Sequence, residues 1–233
     1  MPPKRTAVIV MTSHDRLGDT GRSTGAYLPE VAHAWQVFAA AGYTVDLASV
    51  RGGRPPLDAV QEADPVQRAF LADPGMRARL AATRRPDGVP GAPDVLFLAG
   101  GHGAAWDFPG DGALAGLVRR SYAAGGIVSA VCHGPAGLFD VTLDDGGYLV
   151  AGRQVAAFSN DEERAIGMTR VVPFLLADRL AERGADYVAG PSFVPFVVAD
   201  GRLVTGQNPP SAAAVAEEAV RAAAGGGPVT VTG

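Results

Sequence analysis

Ile127-Val128-Ser129-Ala130-Val131-Cys132-His133-Gly134-Pro135-Ala136 opens with an apolar run rich in β-branched residues, which stops at the only cysteine of the chain. The run reads as a buried strand. Gly134 permits a sharp turn at its end, and Pro135 suits the first turn of a helix. Cys132 is therefore expected to be exposed at the carboxyl edge of a sheet, facing the amino end of the next helix, where the dipole favours a thiolate. That is the pattern of a nucleophile elbow with cysteine in place of serine. A buried structural cysteine is the alternative reading of a lone Cys. His133 beside it and a second glycine-rich turn upstream favour catalysis.

Working outward, strand-like and helix-like segments alternate. Thr6 to Met11 reads as a strand, Ser13 to Thr24 as a loop, Leu28 to Ala41 as a helix stopped by Gly42, and Tyr43 to Val50 as a second strand. A strand-helix-strand unit of this length implies parallel pairing. Residues 52–91 are rich in Pro, Gly and Asp, with short helical pieces near Pro65–Leu71 and Met76–Thr83. Val95 to Ala99 is a third strand and Ala113 to Ala124 a helix. Tyr148–Val150 and Gln154–Phe158 read as an antiparallel pair. Glu162 to Gly184 is helical with a break, Phe196 to Gly206 is a hairpin turned by Asp200-Gly201, and Pro209 to Ala224 is a closing helix. The alternation predicts one α/β domain over 1–224. The Gly-rich residues 225–233 are expected to form a flexible tail.

With 47% hydrophobic and 19% charged residues, the 233-residue chain can bury a large core. A net charge of −4 without a basic cluster argues against nucleic acid or anionic membrane as a partner. A single cysteine excludes an internal disulfide framework and agrees with a reducing cytoplasm. No run is long and apolar enough for a membrane span.

Of the four histidines, His14, His102 and His133 lie on loops or turns after predicted strands, while His33 lies on the first helix. In an open parallel sheet such loops gather at the carboxyl edge, where ligands bind. Gly100-Gly101-His102-Gly103 offers backbone N–H groups that, with that of His133, suit an oxyanion beside Cys132. It lacks the lysine and spacing of a phosphate loop. From spacing alone, Glu30 is equally a proton-sharing partner of Cys132 and a solvated first-turn glutamate. Asp161-Glu162-Glu163 either orients His133 or starts a helix. Glu30 and His33 share a helix face, yet one cysteine and dispersed histidines give no compact metal-ligand set.

Several stretches together resemble the ThiJ/PfpI superfamily, which is class I glutamine-amidotransferase-like. Within it they are similar to the heat-shock-31-type, glutathione-independent glyoxalase III branch. They are Gly25-Ala26-Tyr27-Leu28-Pro29-Glu30-Val31-Ala32-His33, then Ala99 through Pro109, Ala130 through Ala136, and Leu203-Val204-Thr205-Gly206-Gln207-Asn208-Pro209. The resemblance runs from near residue 6 to about 222. It implies a flavodoxin-like, mostly parallel sheet with helices on both faces. It also implies Cys132 as nucleophile, His133 as its base and Glu30 as the acid contacting the thiol. A carboxylate from Ser159 to Glu163 would complete the triad, with Glu163 the first choice and Glu162 the second. Gly101 or His102 would supply the second oxyanion N–H, and Trp106 a pocket wall. The implied activity converts methylglyoxal or glyoxal to a 2-hydroxy acid through a cysteine hemithioacetal. No cofactor and no metal are implied, and the partners are a small aldehyde and a second copy of the chain. A holdase chaperone or deglycase is an alternative, as is a different Cys-dependent hydrolase or lyase on this scaffold.

Overall fold

The alternating apolar strands assemble a seven-stranded sheet. In the computed structural model, which describes residues 5–226 and 230–232, the strands are β1 (Thr6–Met11), β2 (Thr44–Ser49), β3 (Val95–Leu98), β4 (Ile127–Val131), β5 (Phe196–Asp200), β6 (Leu203–Gly206) and β7 (Thr230–Thr232). Their order is β7-β5-β6-β4-β3-β1-β2. Neighbours from β6 to β2 pair in parallel, and β5 is antiparallel to both β6 and β7.

Strand alternation sends side chains to two cores. Ala7, Ile9 and Met11 of β1 pack with Val31, Ala34 and Phe38 of α1 (Leu28–Ala40) and with Val215 and Ala219 of the C-terminal helix (Ala212–Ala223). Val8 and Val10 face the other side, with Leu114 and Leu117 of the helix Gly112–Ala123 and Leu180 of the helix Leu176–Glu182. This is the mostly parallel α/β sheet covered on both faces that the sequence predicts. Because β4 lies mid-sheet between β3 and β6, the turns after β1, β3, β4 and β6 open at one edge around Cys132.

Three expectations change. Gln154–Val155 pairs in parallel with Asp186–Tyr187, not with the Tyr148 region, which instead bridges Thr142. The turn after Cys132 runs into a five-residue 3-10 helix, Gly134–Leu138, where a full α-helix is expected. Within the expected tail, Thr230–Thr232 form an edge strand on β5, because the antiparallel hairpin leaves that strand's outer edge free to pair. The rest of that expectation, at 227–229 and 233, lies outside the described residues. Among the described residues, no helix is long and apolar enough to cross a membrane.

Candidate active site

Cys132 occupies the end of β4 with φ +59°, a left-handed conformation that residues other than Gly, Asn and Asp seldom adopt. Two backbone bonds hold it there. Its N–H donates to Gly206 O at 3.0 Å, and its carbonyl accepts from Phe158 N at 3.0 Å. Gly134 follows because no larger residue fits: a Cβ there would lie 2.2 Å from Leu98 O. The expected exposure of the thiol is not found. Cys132 is only 4% exposed.

Glu30 sits in the first turn of α1, next to Pro29. It is fully buried, and its Oε2 accepts from Gly100 N at 2.6 Å. Oε1 has no hydrogen-bond partner, and the Cys132 side chain lies beside the carboxyl across Gly100. A helix amino end favours a carboxylate, yet burial wins, and the Glu30 pKa rises from 4.5 to about 8 despite the Gly100 bond. Glu30 is therefore a neutral acid at pH 7.

Burial also pushes the Cys132 thiol well above its usual range, reinforced by the nearby Glu30 and Glu163; the Gly101 N–H, directed at the sulfur, works the other way. The thiolate expected from a helix dipole is not the resting form. A short 3-10 turn offers little dipole, and the surroundings are carboxyl-rich and dry.

His133 is completely buried with Nδ1 at 3.3 Å from Cys132 Sγ and Nε2 at 3.0 Å from Glu163 Oε2. Burial lowers its pKa, helped by His102 and opposed by Glu163. Burial works to raise the Glu163 pKa, but hydrogen bonds from His102 and His133 hold it at about 2. An anionic Glu163 accepts the Nε2 proton, which leaves the Nδ1 lone pair facing the thiol.

The two adjacent glutamates separate cleanly. Glu162 closes a capping box with Ser159 and turns its carboxylate to Phe193 N and Asn208 Nδ2, at 2.7 and 2.8 Å. Glu163 is the one at the histidines.

Gly101 has φ +99°, and a Cβ there would lie 2.1 Å from Gly25 O. Replacing Gly101 by alanine is expected to destabilise the protein by roughly 3 kcal/mol or more, through backbone strain plus a clash that no side chain can relieve. Thermal denaturation checks this; an unchanged Tm would mean that the segments at Gly25 and Gly101 part at little cost.

His102 does more than offer a backbone N–H. Its Nε2 lies 3.1 Å from Glu163 Oε1, so one carboxylate bridges two imidazoles whose ring centroids are 4.3 Å apart. Trp106 stacks on His14, with centroids 5.1 Å apart and planes 2° from parallel, so it borders the loop after β1. His33 pairs with Asp64 on the flank of α1, away from this cluster. Three participants are missed by the sequence reading. Phe158 lies against His133 (4.8 Å) and His102 (6.2 Å). Phe193 edges Phe158 at 6.3 Å. Tyr27 has its phenol pKa raised by burial and then by Glu30 and Cys132. Phe158 directly precedes the Ser159 cap, the one sequence signal that marks its neighbourhood.

The model of the DJ-1/PfpI family matches residues 24–222. Glyoxalase 3 of Candida albicans is 31% identical, over 92% of this chain and 97% of its own length. The glutathione-independent glyoxalase HSP31 of Saccharomyces cerevisiae is 30% identical, over 95% and 99%. Among solved structures, the Francisella tularensis rapid encystment protein of 24 kDa superposes with a TM-score of 0.90 at 34% identity, covering 94% of this chain and 99% of that one. Candida albicans glyoxalase III superposes with a TM-score of 0.85 at 29% identity, covering 94% and 97%. With its elbow cysteine, its parallel sheet and a family match across most of its length, the chain belongs to the DJ-1/PfpI family.

Proposed function

We propose that this protein is a glutathione-independent glyoxalase that converts methylglyoxal or glyoxal, with water, to the 2-hydroxy acid. The observation that carries the reading is Glu30: a fully buried carboxyl, neutral near pH 7, set beside the only thiol of the chain. An acid and a latent nucleophile so close together suit an aldehyde that must be captured and then isomerised. The homologous glyoxalases named above support the substrate class.

In this reading Cys132 Sγ attacks the aldehyde carbon C1 while His133 Nδ1 takes the thiol proton. The developing oxyanion is met by the Gly101 N–H, with His102 N–H beside it, and the proton returns from His133 to give a hemithioacetal. Neutral His133 then removes the C1 proton while Glu30 protonates the C2 oxygen, forming an enediol. His133 returns a proton to C2 and Glu30 takes the C1 hydroxyl proton, leaving a thioester. Water hydrolyses the thioester, releasing lactate from methylglyoxal and restoring the thiol. Glu163 holds His133 in the tautomer that can start the cycle, and Trp106 walls the pocket with His14.

The test is lactate production from methylglyoxal without glutathione. Cys132→Ala is expected to fall to the uncatalysed level, a loss of at least about a thousandfold. Turnover that survives Cys132→Ala would overturn the mechanism. We also infer a homodimer in a cytoplasmic setting, supported by the resemblance and by a chain that holds a single cysteine. Sedimentation at monomer mass would remove the dimer.

A further inference from the structure

We propose that His102, His133 and Glu163 form a binding site for a divalent transition-metal ion of the zinc class, and that filling it turns the cysteine centre off. The histidines arrive from the turns after β3 and β4, and Glu163 from the helix Asn160–Ala165. One ligand atom from each lies within 4.8 Å of the other two. Glu163 already draws both Nε2 atoms to itself, at 3.1 and 3.0 Å. Two imidazoles and one carboxylate with a fourth position open is a recurring donor set for zinc. The same set is poor for magnesium and calcium, which prefer oxygen.

The site is sheltered yet reachable. The side chains of His133 and Glu163 are 0% and 2% exposed, and that of His102 is 21% exposed, so an ion enters past His102. Phe158 packs against both rings and keeps the surroundings apolar, which strengthens a cation's attraction to the carboxylate. Small closing movements bring the ligands to the roughly 2.0–2.2 Å that zinc requires.

Metal binding and proton transfer need opposite tautomers of one ring. To ligate, His133 Nε2 must give up its proton, so the neutral ring carries its hydrogen on Nδ1. Nδ1 then faces Cys132 Sγ as a donor and cannot accept the thiol proton. The sulfur lies at the far edge of the ring from Nε2, so Cys132 is not a ligand. Binding stands on this geometry alone; the switching-off rests on the glyoxalase reading.

The test uses untagged protein stripped with a chelator and titrated with Co2+, followed by visible absorption. We expect one equivalent to give the bands of a four-coordinate site. Zinc displaces them and a large excess of magnesium does not. The bands persist in Cys132→Ala and in His33→Ala, with no sulfur charge-transfer absorption. His102→Ala and Glu163→Gln weaken cobalt binding at least about tenfold, since a lost ligand matters no less than a lost supporting contact. Circular dichroism confirms that the part-exposed His102 variant is folded. Absent bands in the wild type, bands lost in Cys132→Ala, or bands unchanged in folded His102→Ala would each overturn the site. Zinc is further expected to inhibit lactate formation, and formation undiminished at saturating zinc would overturn the switch. If no lactate forms even without zinc, the glyoxalase reading fails while the cobalt titration still decides the site.

Discussion

Glu30→Gln is expected to cut turnover of methylglyoxal by roughly 10²- to 10⁴-fold, the range for loss of a positioned acid–base group. Glutamine keeps the size of the side chain and can still accept from Gly100 N, as Glu30 Oε2 does at 2.6 Å. It cannot hand a proton to the substrate and take it back. The fold should therefore survive while the isomerisation fails. Stability supplies an independent check through pH. The folded pKa of Glu30, about 8, lies above the ordinary 4.5, so the native state holds a proton that the unfolded chain releases between these values. Its stabilising share is complete below pH 4.5 and is lost as pH rises through about 8. Glu30→Gln removes that slope, so the difference in unfolding free energy, wild type minus variant, should decline from pH 5 to pH 8. Near wild-type turnover together with a flat difference would make Glu30 an ordinary first-turn residue.

Glu162→Ala should fail in the opposite way from Glu163→Gln. The Glu162 carboxylate is buried and accepts four hydrogen bonds, from Ser159 N, Ser159 Oγ, Phe193 N and Asn208 Nδ2, between 2.7 and 2.9 Å. Truncation leaves four donor hydrogens unmet, with Asn208 Nδ2 keeping only its bond to Val194 O, and opens a void. A cost of about 3 kcal/mol or more follows, since each unmet buried donor costs about 1–3 kcal/mol and entering water offsets part of the sum. That corresponds to a Tm lowered by roughly 6–12 °C. Glu163→Gln keeps the shape and should leave Tm nearer the wild type, while activity falls because His133 loses the anion that fixes its tautomer. Thermal denaturation and the lactate assay on both variants decide the matter. Equal Tm losses, or a Glu162→Ala protein as stable as the wild type, would contradict the division of labour.

How far the sequence reveals this arrangement differs from residue to residue. The run from Ile127 to Val131 carries its own signal, because a strand buried on both faces is nearly all apolar, and its one polar side chain, Ser129, donates to Leu96 O at 2.9 Å. The place of Cys132 at its end follows directly. Glu30 is ambiguous, since the same first-turn position serves a solvated carboxylate and a buried acid, and only the approach of Gly100 distinguishes them. Glu162 and Glu163 are consecutive on a helix and point about 100° apart, so composition cannot choose between them. The capping pattern Ser159-Asn160-Asp161-Glu162 could have done so, because it commits Glu162 to Ser159. The bridging of Glu163 by the His102 ring joins residues 61 apart in sequence and leaves no local trace. The strands Gln154–Val155 and Asp186–Tyr187 are two residues each, too short for any alternation to show.

The left-handed backbone at Cys132 matters for protein engineering. Holding a side chain at φ +59° costs on the order of 1–2 kcal/mol, which the bonds to Gly206 and Phe158 must offset. The proposed nucleophile thus sits on strained backbone, and a screen that selects for heat resistance alone will favour relaxing that turn. Variants won this way would move the sulfur away from Gly101 and His133. Such a screen would therefore need an activity gate from its first round, with stabilising changes sought on surfaces remote from the elbow.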